Sequence, residues 1–366
     1  MSALKDIYSP EFYDKLSDVL LITVPSFDKQ KFVEKIFDEP FKTMELKERM
    51  RHTTRVLHEF MPADFGQAVK IIEKTIAEVR KKGGNEGGLA YIFLPDYIEM
   101  YGLEDYKNSV KALEFTTQFI TCEYGIRPFI IHYFEPMMAQ MLLWSKHQNH
   151  HVRRLATEGC RPRLPWAMAL PELKKNPEKI LPILENLKND SSEYVRRSVA
   201  NNLNDIAKDH PNVVLEIASK WKNNTKETDA IIKHGCRTLL KQGHPEILSH
   251  YGLDSEKITV SEFKIDTPQV QVPEALQFSF KVENNYDIQK TVRLEYAIFY
   301  NKANGQLSKK VFKISEKVYQ PQQKEMVIKR QSFKLITTKV FYSGLHKVSV
   351  IVNGEQKIIG EFQLIT

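Results

Sequence analysis

Apolar positions recur at helical spacing through most of residues 1–255 and then, beyond Gly252, begin to alternate with polar ones. In the first part Phe12, Leu16, Val19 and Leu20 share a face, as do Phe32, Ile36 and Phe37, and then Leu57, Phe60 and Met61. The stretch Ala68 to Val79 repeats the pattern most plainly, and Tyr106 to Phe119 continues it. Lys81 to Gly88, K-K-G-G-N-E-G-G, is a loop by composition, because four glycines do not sustain a helix.

The helical pattern echoes itself. Val152-Arg-Arg-Leu-Ala-Thr-Glu158 aligns with Val195-Arg-Arg-Ser-Val-Ala-Asn201 at an offset of 43 residues, and a weaker third copy starts at Ile232, with Leu240 matching Leu203. Second helices, Pro177 to Leu187 and Val213 to Trp221, lie between the copies. Helix pairs repeating at about 40 residues predict a HEAT-like solenoid, in which each pair buries its apolar stripe on its neighbours.

The alternating part predicts seven strands: Lys257 to Ile265, Leu276 to Glu283, Val292 to Tyr300, Lys309 to Lys317, Glu325 to Phe333, Lys347 to Val352 and Lys357 to Leu364. Turn signals separate several of them, notably Asn304-Gly305 and Asn353-Gly354. Seven short strands in this space indicate an immunoglobulin-like sandwich. The expected architecture is therefore an all-α HEAT-like domain over residues 1–255 followed by an all-β immunoglobulin-like domain over 256–366.

Between the two tryptophans Trp144 and Trp166 lies the densest polar stretch. Three histidines (His147, His150, His151) and five basic residues (Lys146, Arg153, Arg154, Arg161, Arg163) accompany one carboxylate, Glu158. Val152, Leu155 and Ala156 give one buried helical stripe, which leaves Arg153, Arg154 and Glu158 on the remaining faces. Gly159 can end that helix, Pro162 and Pro165 prevent its continuation, and Trp166 to Leu170 forms the next apolar run. A carboxylate, several arginines and an indole are thus expected around one helix-to-helix turn. Upstream, Glu123 and Arg127 sit in an aromatic and apolar surround, and Asp205 lies at the C-terminal side of the second Val-Arg-Arg helix.

Composition narrows the chemistry. The 366 residues carry a net charge of +7, and residues 256–366, with 17 Lys and Arg against 11 Asp and Glu, hold +6 of it. A basic balance suits a polyanionic partner. No run of 18 apolar residues is present, the first residues lack an apolar export core, and three scattered cysteines fit neither a disulfide framework nor a C-x-x-C site, so a cytoplasmic, membrane-free protein is expected. The histidine spacing is compatible with metal ligation but lacks the acidic partner of a zincin helix, and we expect no metal there. No Gly-rich nucleotide loop or G-x-S-x-G elbow occurs.

The stretch N-H-H-V-R-R-L-A-T-E-G-C-R-P-R-L-P-W-A, with C-E-Y-G-I-R-P before it and Y-V-R-R-S-V-A-N-N-L-N-D-I-A-K after it, resembles the AlkC branch of the AlkC/AlkD DNA alkylation repair glycosylases. A C-terminal immunoglobulin-like domain fits one subgroup of that branch. The resemblance implies a helical solenoid that grips duplex DNA as a monomer and excises N3-alkylated bases such as 3-methyladenine and 3-methylcytosine, with no cofactor. It also implies catalytic roles for Glu158, Glu123 and Asp205 and a base-contacting role for Trp166. Lys146, Arg153, Arg154, Arg161, Arg163, Arg196 and Arg197 would then meet DNA phosphates. No lysine stands beside the acids as a Schiff-base nucleophile, which favours a monofunctional enzyme. A non-catalytic HEAT-repeat scaffold and a structure-selective DNA-binding protein remain the competing classes.

Overall fold

The computed structural model describes residues 4–83, 88–335 and 340–366; part of the expected glycine loop, residues 84–87, lies outside the described residues. Sixteen α-helices precede the strands among them: α1 (Pro10–Thr23), α2 (Lys29–Ile36), α3 (Leu46–His58), α4 (Phe65–Lys81), α5 (Phe93–Tyr101), α6 (Tyr106–Thr116), α7 (Arg127–His132), α8 (Phe134–Trp144), α9 (His150–Glu158), α10 (Pro171–Lys175), α11 (Leu181–Leu187), α12 (Glu193–Ile206), α13 (Pro211–Trp221), α14 (Lys226–Gly235), α15 (Arg237–Gln242) and α16 (Pro245–His250). The chain divides into two compact units, Met1–His210 with Trp221–Gly235, and Pro211–Lys220 with Cys236–Thr366. No helix among the described residues is long and apolar enough to cross a membrane.

In the first unit the helices start where their caps allow. Ser9 accepts from the Phe12 amide with Pro10 at the first helical position, and Asp64 accepts from the Gln67 amide at 2.8 Å. Helix α3 stops at His58, short of the expected Phe60 and Met61. Phe60 packs from the following turn, its ring centroid 5.2 Å from that of Phe27 and 5.6 Å from that of Phe32, so tertiary packing rather than helical periodicity explains its apolar character.

The repeat is visible as stacking. Helix α12 packs between α9 and α14, with Val152, Leu155 and Ala156 buried on one side and Val195, Val199 and Leu203 buried within α12. The third echo differs from the other two because it is split: Ile232 belongs to α14 and Leu240 to α15, with Cys236 between them. Gly235 sets how near α14 comes, since a Cβ there would stand 2.9 Å from the Leu203 Cβ.

The second unit holds β1 (Ile258–Ile265), β2 (Gln269–Gln271), β3 (Ala275–Asn284), β4 (Lys290–Asn301), β5 (Leu307–Tyr319), β6 (Lys324–Ser332), β7 (Gly344–Val352) and β8 (Glu355–Ile365). They form two sheets, β1-β3-β6 and β2-β8-β7-β4-β5, over a core that includes Phe278, Phe280, Leu294, Ile298, Val350 and Phe362. This is the expected immunoglobulin-like sandwich, with one strand more than the alternation predicts. Strand β2 is three residues long and pairs parallel with β8, too short a stretch to show a period. Asn353 and Gly354, at φ 47° and 79°, make the two-residue turn between β7 and β8. Leu248 of α16 packs on that turn, where a Cβ on Gly354 would lie 2.8 Å from its Cδ1. Helices α15 and α16 therefore group with the sandwich, although the change of sequence pattern falls later, near residue 255.

Candidate active site

Helix α9 presents the polar residues because its buried stripe fixes its rotation. Val152, Leu155 and Ala156 are at most 1% exposed, and Asn149 caps the start by accepting from the His151 amide at 2.8 Å. His147 serves the same turn through Nδ1, which accepts from the Asn149 amide at 3.0 Å. Gly159 ends the helix with ordinary right-handed angles. Its lack of a side chain is needed for room, because a Cβ would come within 2.9 Å of the Met141 Cε and 2.8 Å of the Ile126 Cγ2.

The three acids singled out by the resemblance come together in one chain of alternating charge: Glu123, Arg154, Glu158, Arg161, Asp205. Arg154 Nη1 donates to Glu123, and its Nη2 lies 3.6 Å from Glu158 Oε1. Arg161 Nη1 donates to the same Glu158 oxygen at 2.7 Å, and Arg161 Nε donates to Asp205 Oδ2 at 2.9 Å. Their side chains are 2–13% exposed, so the pairing is made in a desolvated setting. Burial works against the charge of both arginines, but the neighbouring carboxylates outweigh it and raise both pKa values. Lys208 closes the row at the exposed end, 3.1 Å from Asp205 Oδ1, so a lysine does stand beside one of the acids, against the expectation from sequence: it lies three residues after Asp205.

Neutral groups complete the cluster. Ser198 donates to Glu158 Oε2 at 2.5 Å, Thr121 donates to Glu123, and the Arg154 guanidinium lies 4.2 Å from the centre of the Tyr194 ring. None of these residues stood out in the sequence. Ser198 had a signal: it occupies the position of Leu155 in the repeat, so it is a polar break in a buried stripe. Tyr124 was also missed, and its phenol pKa is raised by burial and by the Glu123 and Glu158 carboxylates.

Tyr124 also lines a cavity of about 730 Å³ with Trp166, Met168, Lys47, Asp96 and Glu99. Burial raises the carboxyl pKa of Asp96 and Glu99, against the pull of Arg51, which lies 2.8 Å and 3.0 Å from them. The expected apolar run Trp166 to Leu170 is not a buried element. It is irregular, Trp166 is 73% exposed and Met168 47%, and Trp166 holds φ at +65°. Lys47 donates to the Trp166 carbonyl. No ring or cation contact joins the indole to the acid–arginine row among the described residues.

The basic residues expected at phosphates separate into three groups. Arg154 and Arg161 are committed to the carboxylates. Arg153 holds Asp190 through two nitrogens, at 2.5 and 2.9 Å, and the His147 and Gln148 carbonyls; Arg196 donates to the Asp190 and Ser191 carbonyls. These two brace the starts of their own helices. Lys146 is exposed, Arg163 pairs with Asp209 at the surface, and Arg197 pairs with Glu193 in exposed positions on α12.

Both the helical repeat with its buried row of acids and arginines and the sandwich that follows it match known protein families. Residues 107–242 match the family described as DNA alkylation repair enzyme, and residues 259–366 match the C-terminal Ig-like domain of the uncharacterised protein YhaZ. The chain belongs to the AlkC branch of the AlkC/AlkD DNA alkylation repair glycosylase family, in the subgroup with a C-terminal immunoglobulin-like domain. It is 42% identical to the uncharacterized protein YhaZ of Bacillus subtilis (strain 168) over 365 residues, all of both chains. It is 34% identical, with a TM-score of 0.93 over all of both chains, to the Pseudomonas fluorescens alkylpurine DNA glycosylase AlkC bound to DNA containing an abasic site analog.

Proposed function

We propose that the protein is a monofunctional DNA glycosylase that hydrolyses the N-glycosidic bond of cationic N3-alkylated bases, 3-methyladenine and 3-methylcytosine, in duplex DNA. The observation that carries this reading is the row Glu123, Arg154, Glu158, Arg161, Asp205. An alkylated base already bears a positive charge, so the bond to C1′ breaks with both electrons going to the base, which leaves neutral. The sugar becomes an oxocarbenium ion, which fixed carboxylates stabilise, and water adds to C1′ while passing its proton to one of these carboxylates. Glu158, held from two sides by Arg161 and Ser198, is the central stabiliser; Glu123 and Asp205 flank it. The two arginines keep these carboxylates oriented before DNA arrives. The exposed indole of Trp166 supplies a face for the base. Lys146 and the surface-paired Arg163 and Arg197 are our candidates for phosphate contacts, and the loops 301–305 and 342–346 of the sandwich are candidates for further DNA contact.

A pure scaffold has no need of three buried carboxylates, whose desolvation is costly. The test is release of free base from duplex DNA carrying 3-methyladenine. We expect release by the wild type and a loss of about 10³-fold in the single-turnover rate for Glu158→Gln, with DNA affinity retained. No release by wild-type protein refutes the reading.

A further inference from the structure

Arg127 belongs to the quoted C-E-Y-G-I-R-P motif, yet neither the acid–arginine row nor the surface cations include it. It opens the six-residue helix α7 and is fully buried. Among the described residues no carboxylate stands within ion-pair distance of it. Two of its three nitrogens donate to backbone carbonyls instead, Nε to Met168 at 2.6 Å and Nη1 to Gly159 and Arg161, each at 2.9 Å, while Nη2 is buried with no hydrogen-bond partner among the described residues. Burial pushes the guanidinium pKa down to about 10, which leaves it charged at neutral pH. Burying a cation without a paired anion is expensive, so its retention calls for a task.

All three acceptors lie on the segment from Gly159 to Met168. That segment carries Arg161, which bridges Glu158 and Asp205, and Trp166 in its left-handed conformation. Its other ties are Lys47, which donates to the Trp166 carbonyl, Arg163, which pairs with Asp209, and the buried side chains of Cys160 and Leu164; none of these reaches the carbonyls that Arg127 holds. Pro162 and Pro165 lack amide donors, and beyond the Gly159 N to Leu155 O bond at 2.9 Å the backbone bonds near it, Arg161 N to Glu158 O, Ala167 N to Leu164 O and Leu170 N to Pro162 O, are each 3.3 Å long.

We propose that Arg127 is the positioning residue of this site: it fixes the segment so that the Arg161 side chain clamps Glu158 and Asp205. The proposal rests on the glycosylase reading. Arg127 touches no substrate and acts through Arg161.

The experiment uses full-length wild type, Arg127→Met, Arg127→Lys, Arg161→Gln and the two double variants, each measured for DNA affinity and for the single-turnover rate of 3-methyladenine release. Small misplacements of reacting groups cost about 100-fold, and that is the rate loss expected for Arg127→Met, with affinity changed by less than about threefold. Arg127→Lys, which keeps a cation and can reach some of the carbonyls, should recover about tenfold of that loss. In the Arg161→Gln background either Arg127 change should cost less than about twofold more, the signature of two residues acting as one unit. Full additivity of the Arg127 and Arg161 effects, or loss of affinity in step with rate, overturns the proposal. If Arg127→Met does not fold, the lysine variant and its double carry the same comparison. Absence of release by the wild type is a different failure, and it strikes the glycosylase reading itself.

Discussion

The triplets Val152-Arg153-Arg154 and Val195-Arg196-Arg197 begin two packed helices with the same side chains, and comparing them residue by residue separates scaffold from chemistry. Val152 and Val195 are both fully buried. Arg153 and Arg196 both donate to the two carbonyls just before their helices, at His147 and Gln148 in one case and at Asp190 and Ser191 in the other. Beyond that point the copies part. Arg154 is 13% exposed and lies between two carboxylates, whereas Arg197 is 67% exposed and meets only Glu193 of its own helix. Glu158 is replaced by Asn201, and Leu155 by Ser198, which turns back to bind Glu158. Positions that the repeat keeps identical in use maintain the stack, and the site sits where the copies diverge.

Four substitutions would break or sharpen this contrast. The largest effect is expected from Arg154→Gln, which frees Glu123 and removes one neighbour of Glu158: base release at saturating DNA should fall by about 100-fold, while Arg197→Gln leaves it within about twofold. Comparable losses from both would mean that the copies are functionally alike. Next comes stability. Arg153→Ala strips the buried Asp190 of its partner as well as releasing two carbonyls, and should cost about 2–3 kcal/mol in denaturant unfolding. Arg196→Ala, with carbonyl bonds alone, should cost about 1 kcal/mol. Equal costs would remove the special role of Asp190. The smallest effect concerns DNA: Arg197→Gln should lower the slope of log affinity against log salt by about 0.9, one phosphate contact, and an unchanged slope would exclude Arg197 from the interface.

Much of the fold was legible because period and turn chemistry are local. Helices α1, α4, α9 and α12 show one apolar stripe each, and the Asn353-Gly354 turn announces a hairpin. What escaped depends on partners far along the chain. Strand β2 exists because β8, more than ninety residues later, offers its edge. The run from Trp166 to Leu170 reads as an apolar run in sequence, and Arg127 and Lys47, far earlier in the chain, show how a largely exposed irregular segment is tied down. The acids Glu123, Glu158 and Asp205 could be named from motifs, and the i, i+4 spacing of Arg154 and Glu158 allows their pairing, but the reach of Arg154 to Glu123 and of Arg161 to Asp205 could not be read. An arginine bound for a carboxylate reads the same as one bound for a phosphate.

The backbone of Trp166 has a consequence for how such a protein evolves. A bulky residue at φ +65° costs on the order of 1–2 kcal/mol that glycine would not incur. Selection for thermal endurance alone would therefore erode the indole early, and lineages that no longer meet damaged DNA should drift toward glycine or asparagine at this position before they lose anything from the core.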